Sequence, residues 1–320
     1  MSQLSACPKK TLGFFLIFLI FSSDGSILGT MTPQETASDP LSVREFQFTI
    51  KDFERVRQLI QAHAGISLGE SKFDLVYGRL ARRLRATGIK NFAEYLKLLE
   101  RGDTREWEAF TNALTTNHTA FFREPHHFDL LAEQLRALKG RNPIVVWCSA
   151  AATGEEAYSI AITAVEAFGS WAPVVNIIAS DIDTEVLETA KRGIYPAERV
   201  GRLEPERLER YFIKAAGAHG PQVQVKEEIR RLVSFRQINL LQSSWPIRAP
   251  LDAIFCRNVM IYFDRETQLK VLKRFAPLLH REGLLYAGHS ERFSQAEDYF
   301  RLRGKTVYEL APSLRQGIAP

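Results

Sequence analysis

The chain has 320 residues, of which 45% are hydrophobic and 25% charged. This composition indicates a soluble globular protein of about two domains and excludes disordered, collagen-like and heptad-repeat chains. The 42 Lys and Arg exceed the 37 Asp and Glu by five, too few to mark a surface coated in positive charge for nucleic acid. The three cysteines, Cys7, Cys148 and Cys256, lack the spacing of a zinc site or a disulfide framework and indicate a reducing, cytoplasmic compartment.

The most apolar stretch, residues 12–21, follows two lysines, as in a signal peptide. It is too short to span a membrane as a helix, which needs about twenty residues. No clean signal-peptidase site follows it, whereas Met31 opens a polar run that suits a natural start of translation. We therefore expect residues 1–30 to be an upstream extension foreign to the fold and residues 31–43 to be a flexible lead-in. A signal peptide or membrane anchor is the alternative.

Residues 44–120 are predicted to form an all-helical N-terminal domain. Apolar side chains recur every three or four positions in segments that begin at Phe73, Phe92 and Trp107. Asn91 and Thr104 occupy positions that suit helix N-caps. No convincing strand pattern interrupts these segments.

Residues 121–320 show the pattern of an α/β domain. Short apolar runs alternate with long amphipathic segments, which is typical of a parallel sheet covered by helices on both faces. The runs are residues 144–147, 174–179, 251–256 and 284–287, and the clearest helical segments are residues 155–168 and 184–192. The sequence therefore predicts a Rossmann-like domain.

One segment, about residues 195–239, departs from this alternation. It contains two stretches of alternating polar and apolar residues, 223–226 and 232–235. Such stretches with intervening turns favour antiparallel strands. We predict a small antiparallel β insertion in which these two stretches form a hairpin.

Acidic residues stand where Rossmann-like folds bind nucleosides. The loop of small residues 149–154 lacks a full GxGxxG motif, and Glu155 and Glu156 open the next helix. The second strand is followed by Asp181, which we expect to bind ribose hydroxyls, and Asp183, which we expect to cap the next helix. Tight strand-to-helix packing explains the loop equally well, so these features alone do not decide the ligand.

Several longer motifs occur in order along residues 44–311. They are residues 115–123 (TTNHTAFFR), 147–159, 179–182, 239–241, 255–263 (FCRNVMIYF) and 288–291 (GHSE). Together they resemble the chemoreceptor glutamate methyltransferases of the CheR family. The resemblance implies a monomeric S-adenosylmethionine-dependent enzyme of chemotaxis signalling that esterifies glutamates on receptor cytoplasmic helices. This chain has Ala157 where many members have proline, and Ala151 and Ala152 where many have Cys and Ser. These side chains are all small, so the differences do not put cofactor binding in doubt.

The resemblance also implies the site residues. The cofactor would contact Asn117, Thr119, Arg123, Glu156, Asp181, Asn239, Leu240, Cys256 and Arg257. Arg123 and Tyr262 would lie nearest the reacting methyl group. Arg123 would orient either the incoming carboxylate or the carboxylate of the cofactor, and Tyr262 would border the methyl site and offer a hydroxyl. An interdomain salt bridge is the alternative for Arg123, and a core position for Tyr262. No metal is expected, because the adjacent His126 and His127 cannot share a helix face.

The net charge is concentrated in residues 72–90, which carry six basic side chains and one acidic side chain. Four of the basic residues share one side of the predicted helix: Lys72, Arg79, Arg82 and Arg83. In the family this domain recognises receptor helices, so we expect this side to dock an acidic surface; a solvated face is the alternative. Some members also add a receptor C-terminal peptide to the β-subdomain as an extra strand.

Two other functions fit parts of the sequence. A non-catalytic S-adenosylmethionine-binding scaffold would keep the fold, although the presence of Arg123, Tyr262 and both acids argues against it. A nucleic-acid methyltransferase would use the basic helix on phosphates. Against that reading, the chain lacks an Asn-Pro-Pro-Tyr-like motif and an aromatic-interleaved basic groove, so no nucleic-acid partner and no stable membrane insertion are expected.

Overall fold

The apolar repeats of the N-terminal region form α-helices that share one core. The computed structural model describes residues 44–217 and 220–315, so the expectations for residues 1–43 lie outside the described residues. The helices are α1 (Ile50–Ala64), α2 (Phe73–Thr87), α3 (Phe92–Glu100) and α4 (Thr104–Leu114). Val56, Ile60, Val76, Leu80 and Leu84 are fully buried among them. The predicted all-helical region is confirmed.

The helix caps follow the predictions in one case and not in the other. The Asn91 side chain accepts a hydrogen bond from the Glu94 amide and caps α3, as predicted. Thr104 is not the cap of α4, because the carboxylate of Asp103 accepts from the Glu106 amide and Thr104 is the first helical residue.

The remainder of the chain alternates strands and helices around a large sheet. The helices are α5 (His126–Ala137), α6 (Glu155–Phe168), α7 (Thr184–Arg192), α8 (Pro205–Tyr211), α9 (Glu227–Arg230), α10 (Arg265–Phe275) and α11 (Pro312–Arg315). The strands are β1 (Ile144–Cys148), β2 (Val175–Asp181), β3 (Ile194–Pro196), β4 (Phe212–Ala215), β5 (Gln222–Val225), β6 (Val233–Gln237), β7 (Leu251–Cys256), β8 (Leu279–Ala287), β9 (Phe300–Gly304) and β10 (Val307–Leu310). Within the described residues, no helix is long and apolar enough to cross a membrane.

Among the described residues, seven strands form the main sheet in the order β6-β2-β1-β7-β8-β10-β9. The first five run parallel, and every residue of β7 is buried, as expected for a sheet covered on both faces. Strands β9 and β10 add an antiparallel hairpin that the sequence analysis did not predict. The predicted α/β, Rossmann-like class is confirmed.

The predicted β insertion exists, but its pairing was wrong. Residues 222–225 form β5, which lies between β3 and β4 in a small antiparallel sheet. The second alternating stretch instead belongs to β6, which pairs in parallel with β2. Phe235 of this strand packs on the ring of Tyr158 in α6, at 5.7 Å between ring centroids. Alternation identified a half-buried strand without determining its partner.

A buried charge network joins α2, α3 and α4. Glu106 is only 6% exposed, and its carboxylate accepts hydrogen bonds from Arg83 Nε (3.0 Å) and Nη2 (2.8 Å) and from Tyr95 Oη (2.7 Å). Arg79, one turn earlier, donates to the carbonyl oxygen of Thr115 at 2.6 Å. Arg79 and Arg83 of α2 therefore bind α4 and the residue that follows it, and so stabilise the helical domain.

Replacing Arg83 should destabilise the protein because Glu106 would remain buried without its cation. We expect Arg83→Met to lower the free energy of unfolding by about 2 to 3 kcal/mol, a loss tempered by the partial exposure of Arg83. The matched control is Arg82→Met, since Arg82 is exposed, and its change should stay within about 0.5 kcal/mol. Urea unfolding followed by circular dichroism measures both, and equal effects would contradict the structural role of Arg83.

Candidate functional site

A cavity lies where the carboxyl ends of β1, β2 and β7 face the helical domain. The loop after β1 turns sharply at Gly154, whose φ is 98°. A Cβ there would lie 2.8 Å from Ala190 Cβ and 3.0 Å from Tyr195 Oη, so only glycine allows this approach. The predicted site residues that line the cavity are Asn117, Thr119, Arg123, Glu156, Asp181, Asn239, Leu240, Arg257 and Tyr262. Lys72 of the helical domain lines it as well.

Of the predicted cofactor contacts, Cys256 does not line the cavity. Its thiol is fully buried in β7 within an apolar cluster, so only its backbone lies close to the site residue Arg257. Cys148 is also a free, buried thiol and donates a hydrogen bond to Glu156 Oε1 at 3.3 Å. Both cysteines are buried as small core residues.

Asp181, the last residue of β2, and Asp183, two residues later, make different contacts. Asp181 accepts from the Ala152 amide through Oδ2 (2.8 Å) and from the Asp183 amide through Oδ1 (3.0 Å). Burial raises the pKa of Asp181 to about 6. Asp183 caps α7, as predicted, and its Oδ2 accepts from Asn117 Nδ2 at 2.7 Å. Asn117 is therefore held in place by the cap.

Arg257 lies at the centre of a buried chain of charges. Its side chain is only 1% exposed, and its Nη1 lies 2.5 Å from Glu156 Oε2. Its Nη2 lies 3.3 Å from Glu124 Oε2 and donates to the carbonyl oxygen of Arg123 at 2.5 Å. Burial opposes the charged guanidinium, but Glu156 and Glu124 outweigh it and hold the pKa of Arg257 above its ordinary value. The charged Arg257 thus fixes three segments around the cavity.

The two residues predicted to lie nearest the chemistry are partly exposed to the cavity. Arg123 donates from Nη1 to the His118 carbonyl oxygen at 3.0 Å, and among the described residues it forms no ion pair. The alternative of an interdomain salt bridge is therefore not seen within residues 44–217 and 220–315. Tyr262 ends a short 3-10 turn, Met260–Tyr262, and is half-buried rather than part of the core.

The residues around His127 do not fit a metal ion. Ligand atoms of Glu124, His126 and His127 lie within 4.8 Å of one another, so adjacency did not separate the two histidines as we had expected. However, the guanidinium of Arg257 already lies against the same carboxylate and would repel a second cation there. Burial lowers the pKa of His127 to about 4, and its Nε2 lies 2.9 Å from the Lys305 carbonyl oxygen.

The sequence analysis assigned no role to three residues that contact Arg257 or the backbone next to it. Glu124 lies directly after the first motif, Asn258 lies inside the fifth, and Glu291 ends the last, yet none was assigned a role. Glu124 and Asn258 both adopt positive φ values of 58° although neither is glycine. For Asn258 and Glu291 the signal in the sequence was membership in a motif, and for Glu124 it was adjacency to one, because backbone strain and buried contacts are not visible there.

The raised pKa of Asp181 makes part of the protein's stability depend on pH. The folded-state pKa of about 6 lies above the ordinary value of 3.8, so this contribution is present below about pH 4 and is lost as pH rises through 6. Asp181→Asn cannot ionise, and we expect its stability relative to wild type to rise by up to about 3 kcal/mol between pH 4 and pH 7. Urea titrations at several pH values measure this, with Asp298→Asn, at an exposed position, as the control. A difference between wild type and Asp181→Asn that is constant with pH would refute the prediction.

Comparison with known proteins agrees with the two parts of the fold. Residues 51–115 match the family model "CheR methyltransferase, all-alpha domain", and residues 117–309 match "CheR methyltransferase, SAM binding domain". The chain is 51% identical over 280 residues to the "Chemotaxis protein methyltransferase 2" of Pseudomonas aeruginosa. The matched region covers 87% of this chain and 100% of that protein. It is 52% identical over 260 residues to the "Chemotaxis protein methyltransferase" of Escherichia coli, covering 81% and 90% respectively. The chain therefore belongs to the CheR methyltransferase family and contains its S-adenosylmethionine-binding domain.

Proposed function

We propose that this protein transfers a methyl group from S-adenosylmethionine to glutamate side chains on the cytoplasmic helices of chemoreceptors. The observation that carries the proposal is the composition of one cavity. Buried acids suited to a nucleoside, Asp181 and Glu156, line it together with a cationic side chain, Arg123, and an aromatic hydroxyl, Tyr262. The names of the relatives supply the chemotaxis setting.

The acids fit the ribose of the cofactor. Each oxygen of the Asp181 carboxylate accepts one backbone amide, so lone pairs remain for hydroxyl donors. The loop that approaches Asp181 consists of small residues, among them Ala150 and Ala152, which leave space for a ligand. Glu156 is engaged by Arg257, so we assign the main ribose contact to Asp181.

The chemistry needs alignment more than proton transfer. Bound S-adenosylmethionine supplies a methyl group on a sulfonium, which is electrophilic without further activation. A glutamate with an unperturbed pKa of about 4.3 is ionised at neutral pH, so no general base is required. Proximity and orientation can contribute about 7 to 11 kcal/mol. We assign Arg123 to orient a carboxylate through paired hydrogen bonds, and Tyr262 to bound the methyl position.

Fewer basic side chains are available to dock a receptor than the four predicted from the sequence. We call the remaining two, Lys72 and Arg82, the docking face. Arg79 and Arg83 are engaged inside the helical domain. Lys72 and Arg82 are exposed, and no ion pair holds either of them among the described residues. We propose that these two cations meet an acidic receptor helix, and that Lys72, which lines the cavity, lies nearest the methylated glutamate.

The small β sheet offers an edge for a receptor C-terminal peptide. Its outer strands are β3 and β4. β3 contains Pro196, which has no N–H to donate, so β4 is the better edge. Ile213 on β4 is 48% exposed and would contact the added strand.

The scaffold and nucleic-acid functions are not favoured, because the family and its named relatives are methyltransferases of chemotaxis.

Removing the Arg123 guanidinium should abolish most of the transfer. We expect Arg123→Ala to lower kcat/KM by about 100-fold or more while the fold persists, because the residue is partly exposed. The assay incubates purified receptor cytoplasmic domains with labelled cofactor and measures methanol released by mild base, which identifies an ester. Arg202→Ala, at an exposed position outside the cavity, is the control. Base-stable label would reject ester formation, and unchanged methylation by Arg123→Ala would reject the role of Arg123.

Reversing the charge of Arg82 should weaken receptor recognition. We expect Arg82→Glu to raise KM for the receptor by about 10-fold at low salt with kcat nearly unchanged, and the difference should shrink as salt screens the charges. Arg105→Glu, an equal charge reversal on an exposed position of α4, should leave KM near the wild-type value. Equal KM values for the two variants would show that Arg82 does not dock the receptor.

A further inference from the structure

A buried carboxylate, that of Glu291, contacts the turn of residues 257–262, which carries Arg257 and Tyr262. Glu291 is 3% exposed, and its Oε2 accepts hydrogen bonds from the backbone amides of Asn258 (2.9 Å) and Gly288 (2.5 Å). This side chain does not line the cavity, so it cannot touch a ligand there. Its contacts are with the protein backbone that shapes the site.

The Glu291 carboxylate faces the start of the turn from one side. Burial raises the pKa of its carboxyl, while the hydrogen bonds from the amides of Gly288 and Asn258 act in the opposite sense. Two backbone amides from separate segments therefore converge on one oxygen, Glu291 Oε2, whereas Oε1 has no hydrogen-bond partner among the described residues.

The turn adopts a conformation that needs such support. Asn258 has a φ of 58°, in the left-handed region that non-glycine residues rarely adopt. A Cβ on Gly288 would overlap Asn258 Nδ2 and would lie 2.9 Å from both Asn258 N and Glu291 Oε2. Glycine at position 288 is therefore required for the end of β8 to approach the turn. Glu291 and Gly288 together fit the strained Asn258 backbone.

We propose that Glu291 is a positioning residue for the methyl-transfer site. By accepting the amide of Asn258, it holds this residue in its left-handed conformation and so sets the directions in which Arg257 and Tyr262 enter the cavity. The importance of those two side chains rests on the proposed function. The hydrogen bonds of Glu291 do not, because they are properties of the folded chain.

The test compares two variants of Glu291 with a control. Glu291→Gln keeps an acceptor oxygen and nearly the same volume, whereas Glu291→Ala leaves the buried amides without a partner. The control is Glu297→Ala, since Glu297 is exposed a few residues away. For each protein we would measure hydrogen exchange of residues 257–262 by mass spectrometry, binding of S-adenosylhomocysteine by calorimetry, and kcat and KM of receptor methylation.

We expect Glu291→Ala to speed exchange in the turn, to weaken S-adenosylhomocysteine binding by about 10-fold and to lower kcat by about 10- to 100-fold. The KM for the receptor should stay near the wild-type value, because the docking face lies on the helical domain. Glu291→Gln should recover most of each loss, and Glu297→Ala should match wild type. Unchanged exchange in Glu291→Ala, or faster exchange with normal binding and kcat, would overturn the proposal.

A second variant covers the case in which Glu291→Ala does not fold. Gly288→Ala keeps the carboxylate but places a methyl group against Asn258, so it should speed exchange in the turn and weaken S-adenosylhomocysteine binding in the same way. Wild-type values for Gly288→Ala would overturn the proposal. If the wild-type protein itself forms no receptor ester, the proposed function fails, while exchange and S-adenosylhomocysteine binding still decide whether Glu291 positions the turn.

Discussion

The site depends on one buried cation, Arg257, held between the carboxylates of Glu156 and Glu124. These three charges lie on separate segments. Arg257 is in the turn after β7, Glu156 is in the first turn of α6, and Glu124 lies two residues before α5. A buried charge is tolerated only where its partners are in place, and removing one partner of such a pair typically costs about 3 to 5 kcal/mol. The charge chain therefore makes the geometry of the cavity cooperative, because no segment can move without stranding a charge.

The same chain reaches the residues assigned to the chemistry. Arg257 donates to the backbone carbonyl oxygen of Arg123, so the position of that residue follows from the buried pair. Glu124, which contacts Arg257, and Asn258, which follows Arg257 in the chain, both have left-handed backbones. Strain of this kind persists only when the surroundings over-determine it. Glu291 accepts the amide of Asn258, and the carboxylate of Glu124 lies against Arg257.

The roles of basic residues changed most between sequence and structure. Charge counting placed an excess of five on one helical segment, but the fold uses Arg83 to neutralise the buried Glu106 and Arg79 to bind carbonyl oxygens. A helical projection shows which side of a helix a residue occupies, but not what lies opposite. The same limit explains the wrong hairpin, since alternation places residues 232–235 in a half-buried strand while the identity of the neighbouring strand is a long-range property.

The sequence by itself determined the local elements and the family. Helices α6 and α7 match their predicted segments residue for residue, because periodicity and caps such as Asp183 act within a few residues. The motifs likewise predicted nine side chains that line the cavity, although the tenth, Cys256, lies in the core. Only the tertiary structure decided how those side chains are held: Arg257 between two acids, and Asn258 against Gly288 and Glu291. These contacts join residues from thirty to about one hundred and thirty positions apart, and desolvation, close backbone approach and strain exist only once the chain has folded.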